Sequence, residues 1–406
     1  MKKHATTSLV WTERFLLPLA VATVATGFSF YVPVSALFLA SRSLSLQDIF
    51  LLESILLGSI LATEIPSGLV SDRVNRRWII LTGFILDAVA EVLFAVGHSF
   101  GIFAASFMFS GFGIAMLTGV QDAYIYDSLR EHADKLSVGV WGHLSSLELG
   151  AGVLGSISGG LLATQDVSYP AFASAGCAIL AASAVAFLPN QHPQGKRSKN
   201  SETTWLSFKR AAELLFTSPL LLYTAVASSA SFVMFNAVFT INQPLFQATA
   251  VPVAFWGFIG ATAQLLAAVY NHFAGSIVDS FGRKTSLLLA QGYGICGFVL
   301  MAVPHPVAVI AGFILTVLGM NARGPIIRAV ANKVIPVHRR ATVLNIASTV
   351  GSLVGIAMNP VIGWGAETNS RNTVVIIAVV LTLMALAWIP IANRYLTEDR
   401  AEQCVR

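Results

Sequence analysis

Seven ionisable residues fall inside long apolar stretches of the sequence: Glu53, Glu64, Asp87, Glu91, Asp122, Glu148 and Arg323. A charged side chain at the bilayer centre costs roughly 2.5–3.5 kcal/mol on an insertion scale, so each marks an ion or substrate pathway by default. Two like-signed carboxylates in a poorly hydrated cavity hold protons more tightly than either alone, which a proton carrier working near neutral pH requires. Asp122 is the first choice for that work and Glu64 the second. Glu64 lies about two helical turns above a basic loop and Asp122 just over one turn above Asp127, placing both in the inner third of their stretches. Asp87 and Glu91 are four apart and share a helix face. Glu148 stands near the middle of its stretch, Glu53 is close enough to an end to snorkel, and Arg323 is a cation well inside.

The elements that must position these groups are membrane spans. Mean hydropathy is +0.72. Only 11% of residues are charged, against roughly 25% in a soluble domain, which excludes a soluble globular fold. Apolar runs of about 20 residues suffice to cross a bilayer. On that measure the chain divides into twelve spans, at 14–40, 47–71, 77–97, 100–128, 137–163, 168–188, 215–246, 252–278, 285–303, 306–332, 341–365 and 373–393. The first run is too long for a signal-peptide core and ends in no small-residue cleavage site, so it is expected to be retained. Of 25 Lys and Arg, 21 fall on the tails or on connections sharing their side, which places both termini in the cytoplasm. The net charge of +5 therefore reports topology and points to no nucleic acid. The three cysteines suggest no disulfide framework.

One loop motif occurs twice at the same spacing. The first copy carries Gly68, Asp72, Arg73, Asn75, Arg76 and Arg77; the second carries Gly275, Asp279, Gly282, Arg283 and Lys284. The offset is 207 residues in a chain of 406, so the protein is two copies of one membrane unit. Gly allows close helix packing, the Asp can cap a neighbouring helix start, and the cations can reach an acid on another inner helix end, for which Asp127 is the expected partner. Asn75 stands where the second copy has Gly282, and Asn tolerates left-handed backbone. The connection 189–214 is the one long loop. Within it Trp205, Phe208, Ala212 and Leu215 share a helical face opposite Lys209, Arg210 and Glu213, the pattern of a helix lying along the inner surface. The expected organisation is a six-helix bundle at 1–188, a linker at 189–214 and a second bundle at 215–406. Gly292, Gly294 and Gly297 match a dinucleotide fingerprint in letters alone, with no strand before them and no acid after. No metal cluster, cofactor motif or catalytic constellation is evident, so an enzyme is not expected.

The paired loops resemble the signature of the major facilitator superfamily of secondary transporters. That resemblance implies an all-α membrane fold of twelve helices in two pseudo-symmetric bundles, and gating roles for Gly68, Asp72, Arg73, Arg76, Arg77, Asp127, Asp279, Arg283 and Lys284. It also implies a cavity lined by spans one, four, seven and ten, which maps substrate contact onto Phe28, Tyr31, Tyr126, Asn236, Asn242, Gln243, Asn321 and Arg323. Span three is peripheral in the family, which would keep Asp87 and Glu91 from the cavity. Span five, with Gly150, Gly152, Gly155, Gly159 and Gly160, is similar to the family's antiporter motif, with Ser156 in place of its Pro; Gly351, Gly355 and Gly363 repeat the spacing in span eleven. The Arg that drug/proton antiporters carry in span four is absent, Phe107 and Met108 preceding Gly111 instead. Glu64 to Gly68 together with Gly119, Asp122, Tyr124, Tyr126 and Asp127 look like a group of bacterial permeases labelled drug-efflux-like. The expected function is proton-coupled export of small organic compounds by a monomer in the inner membrane. The alternatives are a proton-coupled importer of a nutrient or organic anion, with Arg323 as the anion site, and a non-transporting sensor.

Overall fold

The computed structural model describes residues 16–71, 74–129, 133–190, 213, 219–334 and 340–395. The regular structure among them is helical throughout. Span one is α1 (Leu16–Gly27), a 3-10 turn (Val32–Val34) and α2 (Ser35–Ser41). Spans two and three are α3 (Leu46–Ser71) and α4 (Arg76–Val96); span four is α5 (Phe100–Leu117) followed by α6 (Val120–Leu129). Then come α7 (Ala133–Leu162), α8 (Tyr169–Val185), α9 (Pro219–Asn236) and α10 (Val238–Ala248). The last three are α11 (Val253–Ala302), α12 (Pro306–Val334) and α13 (Arg340–Tyr395). Two of these hold two spans each: α11 turns at Gly282 (φ 76) and α13 at the extended Asn369. The break between α5 and α6 falls at Gly119, whose φ of 74° favours a residue without Cβ. The expected spans and the observed helices thus correspond, and the surface helix expected in the long connection falls on residues outside the described ones, apart from Glu213.

Two compact units emerge: Met1–Arg197 with Val253–Ala261, and Ser198–Pro252 with Thr262–Arg406. In the first, α4 packs on α5 and α8, α3 lies along α5, and α1 rests on α7 and α8. One core cluster joins Leu16, Leu19, Ile80, Phe84, Tyr124, Leu144 and Val185. The other joins Phe38, Leu39, Leu52, Phe94, Phe103 and Ala175. In the second unit α9 packs on α12 and α13, and α10 on α12. Phe187, Val361, Trp364 and Leu383 are exposed apolar side chains.

The 207-residue repeat read from the loops holds in the backbone. α2 ends at Ser41 and α10 at Ala248; α3 begins at Leu46 and α11 at Val253. Ser43 (φ 65) and Ala250 (φ 55), the positive-φ residues other than glycine among the described ones, occupy equivalent places in the intervening turns. Span one breaks over Phe28–Tyr31, and span seven is interrupted at Ala237, which at the same offset matches Phe30.

Candidate functional site

Helices interrupted at corresponding positions of two repeats are the strongest backbone pointer to a transporter's binding site. In span one the unwound stretch is held by Phe30 N–H donating to Ser174 Oγ of α8 at 3.1 Å, and by the following turn that begins at Val32 and contains Pro33. Irregular backbone is tolerated at membrane depth only when protein satisfies it in this way. α7 passes close against the stretch: a Cβ at Gly159 would lie 2.7 Å from the Phe30 carbonyl carbon, and one at Gly155 would lie 3.1 Å from Phe28 Cα. The small residues of span five thus form the tight seam expected of them. Gly150 and Gly142 face open space and take no part.

Phe28 and Tyr31 project from the break. Phe28 stacks on Phe30 with centroids 5.4 Å apart, and Tyr31 lies on Phe94 at 4.6 Å. The Tyr31 hydroxyl donates to Glu91 Oε1 at 3.1 Å. The family pattern placed Glu91 at the periphery; in this chain the bond ties it to span one. The second oxygen of Glu91, Oε2, is sealed from solvent without a hydrogen-bond partner. Asp87 and Glu91 lie on the face of α4 that Tyr31 meets, because i and i+4 stack on a helix. Glu53 of α3 also lies within electrostatic range of Tyr31.

Asp122 sits in the first turn of α6, just past the break at Gly119, and is exposed; Tyr126 and Glu148 are exposed as well, and Glu64 is half-buried. At the start of α4, Asn75 does not adopt left-handed backbone. Its φ is −57°, and its side chain caps the helix by accepting from Arg77 N–H. Among the described residues of the two copies, positive φ is found at Gly282 alone. Arg76 forms an ion pair with Asp127 and donates to the Ala123 carbonyl at 3.2 Å. Arg77 donates to the Ala186 carbonyl at 2.6 Å and to Asn190 Oδ1 at 3.1 Å. Together they bind the start of span three to the ends of spans four and six. Gly68 lies in the last turn of α3, while Asp72 and Arg73 lie outside the described residues.

In the second unit Arg323 is 8% exposed. Its guanidinium lies 5.2 Å above the Phe235 ring, and its Nε has no hydrogen-bond partner. Asn242 is buried with Oδ1 unpartnered. Gln243 and Asn321 turn their amides back to the Phe239 and Val317 carbonyls. Asn236 is exposed at the interruption. In the second loop copy Asp279 is exposed and Lys284 half-buried, while the Arg283 side chain lies outside what is described. Sequence reasoning missed Phe235 as the seat of Arg323, though the repeat makes it the counterpart of Phe28. It also missed a clip in which Arg42 bonds His98 Nδ1 at 2.9 Å and Ser168 Oγ at 3.1 Å. Among the described residues no group of His, Cys, Asp and Glu is arranged to hold a metal.

The model of the Major Facilitator Superfamily matches residues 19–251 and 230–403. The chain belongs to that superfamily. It is therefore a multi-pass membrane protein. Its sequence is 26% identical over 167 residues to the quinolone resistance protein NorA of Staphylococcus aureus, covering 41% of this chain and 42% of that one. The chain thus spans less than half the length of that relative. It is 23% identical over 342 residues to multidrug resistance protein 1 of Bacillus subtilis, covering 82% of each. Among solved structures, the nucleoside transporter NupG aligns with a TM-score of 0.77 at 15% identity, over 93% of this chain and 98% of that one. A bacterial homologue of the human lysosomal transporter Spinster, inward-facing and unoccupied, aligns at 0.70 and 17% identity, over 92% and 95%. These structural likenesses establish the fold alone.

Proposed function

We propose that the protein exports small organic compounds, drugs among them, from the cytoplasm across a bacterial inner membrane in exchange for protons. The observation that carries this reading is the alignment over 82% of the chain with a multidrug resistance protein. The seam of α7 against the span-one break supports it, since tight small-residue packing resists leak. On this reading the bundles are 1–188 and 215–406, joined by a linker at 189–214, with both termini cytoplasmic and the monomer as the working unit. Protons are the coupling ion and nucleic acid is no partner. Phe28, Tyr31, Tyr126, Asn236, Asn242, Gln243, Asn321 and Arg323 contact substrate, an aromatic wall with a few polar contacts to orient it. Asp122 and Glu64 carry protons, and Gly68, Asp72, Arg73, Arg76, Arg77, Asp127, Asp279, Arg283 and Lys284 form the inner gate.

A second reading is favoured by one observation: the buried, incompletely satisfied Arg323 suits an organic anion, and hence an importer driven by the same proton gradient. Drug accumulation in cells separates the two. Export predicts that expression lowers accumulation of at least one fluorescent drug and that an uncoupler restores it. Unchanged accumulation across a panel, with the protein in the membrane, overturns export.

A further inference from the structure

The repeat supplies a comparison that composition does not. At the 207-residue offset, Glu53, Asp87 and Glu91 of the first half correspond to Gly260, Gly294 and Phe298 of the second, and Tyr31 corresponds to Val238. Val238 and Phe298 are both fully buried. The same backbone, with matching helix ends and a matching interruption, is therefore packed in the second half without ionisable groups at these places. The acids of the first half answer to something other than packing.

Glu91 is placed to act. It meets Tyr31 at the one point where span one is unwound, and Tyr31 is fixed there by the Phe94 ring and the turn at Pro33. Oε1 accepts a hydrogen bond from the Tyr31 hydroxyl, while Oε2 is sealed off with no hydrogen-bond partner. An ionised carboxylate with an unmet oxygen at membrane depth is costly, and no cation among the described residues offsets it here. Arg42, on the connection between α2 and α3, is held by His98 and Ser168. α5 carries no titratable residue, α8 carries Tyr169 and Cys177, and α6 carries Asp122, Tyr124, Tyr126 and Asp127 at the other end of the bundle. The groups that face Glu91 are thus Tyr31, its helix neighbour Asp87 and, through Tyr31, Glu53.

We propose that Glu91, hydrogen-bonded to Tyr31, is a proton-binding site of the first unit. It takes up one proton on its carboxylate and releases it when the span-one break rearranges and admits water or a cationic donor to Oε2. No other bond forms or breaks. Tyr31 is a positioning residue that links the protonation state of Glu91 to the conformation of span one. The inference deepens the export reading and rests on it only for what the proton is exchanged against.

Infrared difference spectra of the reconstituted full chain test this without any substrate. The C=O stretch of a protonated carboxyl is followed from acid to alkaline pH in wild type and in the Glu91→Gln, Tyr31→Phe and Asp122→Asn variants, each checked for a monodisperse elution profile. The expected result is a titrating component that is missing in Glu91→Gln, shifted in frequency in Tyr31→Phe and retained in Asp122→Asn. A folded Glu91→Gln protein with an unchanged carboxyl spectrum overturns the proposal, as does a Tyr31→Phe protein in which the Glu91 component does not move. Should Glu91→Gln fail to fold, Glu91→Asp takes its place, and an unaltered component there overturns the proposal equally. Absence of drug-driven proton flux in wild type bears on export alone, so failure of that reading and failure of this one are separable.

Discussion

Arg76 and Asp127 form an ion pair that joins the first residue of α4 to the last turn of α6, with side chains 19% and 29% exposed. The pair bridges two helices separated by 51 positions in sequence, and Arg76 holds the Ala123 carbonyl with the same nitrogen. A charge-assisted bond with partial burial contributes about 1.5–3 kcal/mol.

Replacing Asp127 by Asn keeps the shape of this contact and removes its charge. Transport is expected to fall several-fold, with a lowered melting midpoint in detergent. The double exchange Asp127→Arg with Arg76→Asp should recover part of both, and recovery of neither would show that the pair is not the relevant contact.

Span five gives a sharper contrast. Gly159→Val forces a side chain into the Phe30 backbone at the span-one break and is expected to destabilise the unit by about 1–3 kcal/mol, the ordinary cost of overpacking. Transport should be lost with it. Gly150→Ala faces open space and should be neutral or slightly stabilising, because Ala is the better helix former. Equal effects of the two on the melting midpoint would contradict the seam.

The turn between α7 and α8 gives a pH dependence of defined sign. Asp166 Oδ1 accepts the Ser168 backbone N–H at 2.7 Å, and that bond, helped by the Ser168 hydroxyl and by Arg42, holds its carboxyl below the usual range. A depressed carboxylate contributes stability that is present above its unfolded value and is lost as pH falls through the folded one. Wild type should therefore melt above Asp166→Asn at neutral pH, and the difference should close in acid. A difference that widens on acidification would reverse the assignment.

Arg323 separates the export and import readings. Arg323→Gln removes the buried cation over Phe235. Export of cationic or neutral drugs should be weakened by the loss of one orienting contact without being abolished, whereas uptake of an organic anion would be abolished.

The spans and the repeat were legible because apolar runs of bilayer length and a Gly-Asp-Arg loop leave marks that do not depend on how helices face. Facing itself was not legible. In α5 nearly every position is apolar, and in α3 and α9 the polar residues gather on no single face, so periodicity carries no orientation there; the bond from Tyr31 to Glu91 was not read from the sequence. The break over Phe28–Tyr31 was hidden because Pro33 follows it inside an otherwise continuous apolar run. Asn75 was read as a left-handed stand-in for Gly because the loops align there; a cap serves the same turn from an ordinary φ. Laying the halves on each other at 207 residues would have singled out Glu53, Asp87 and Glu91 from sequence, since their counterparts are Gly260, Gly294 and Phe298.

Inverted membrane vesicles with an acid interior, challenged in turn with drugs and metabolites, read proton-coupled export directly. The expected result is that at least one compound dissipates the pH gradient through the wild-type protein and not through Glu91→Gln. A folded wild-type protein that leaves the gradient intact with every compound, while an inward proton gradient drives accumulation of an organic anion, would contradict export.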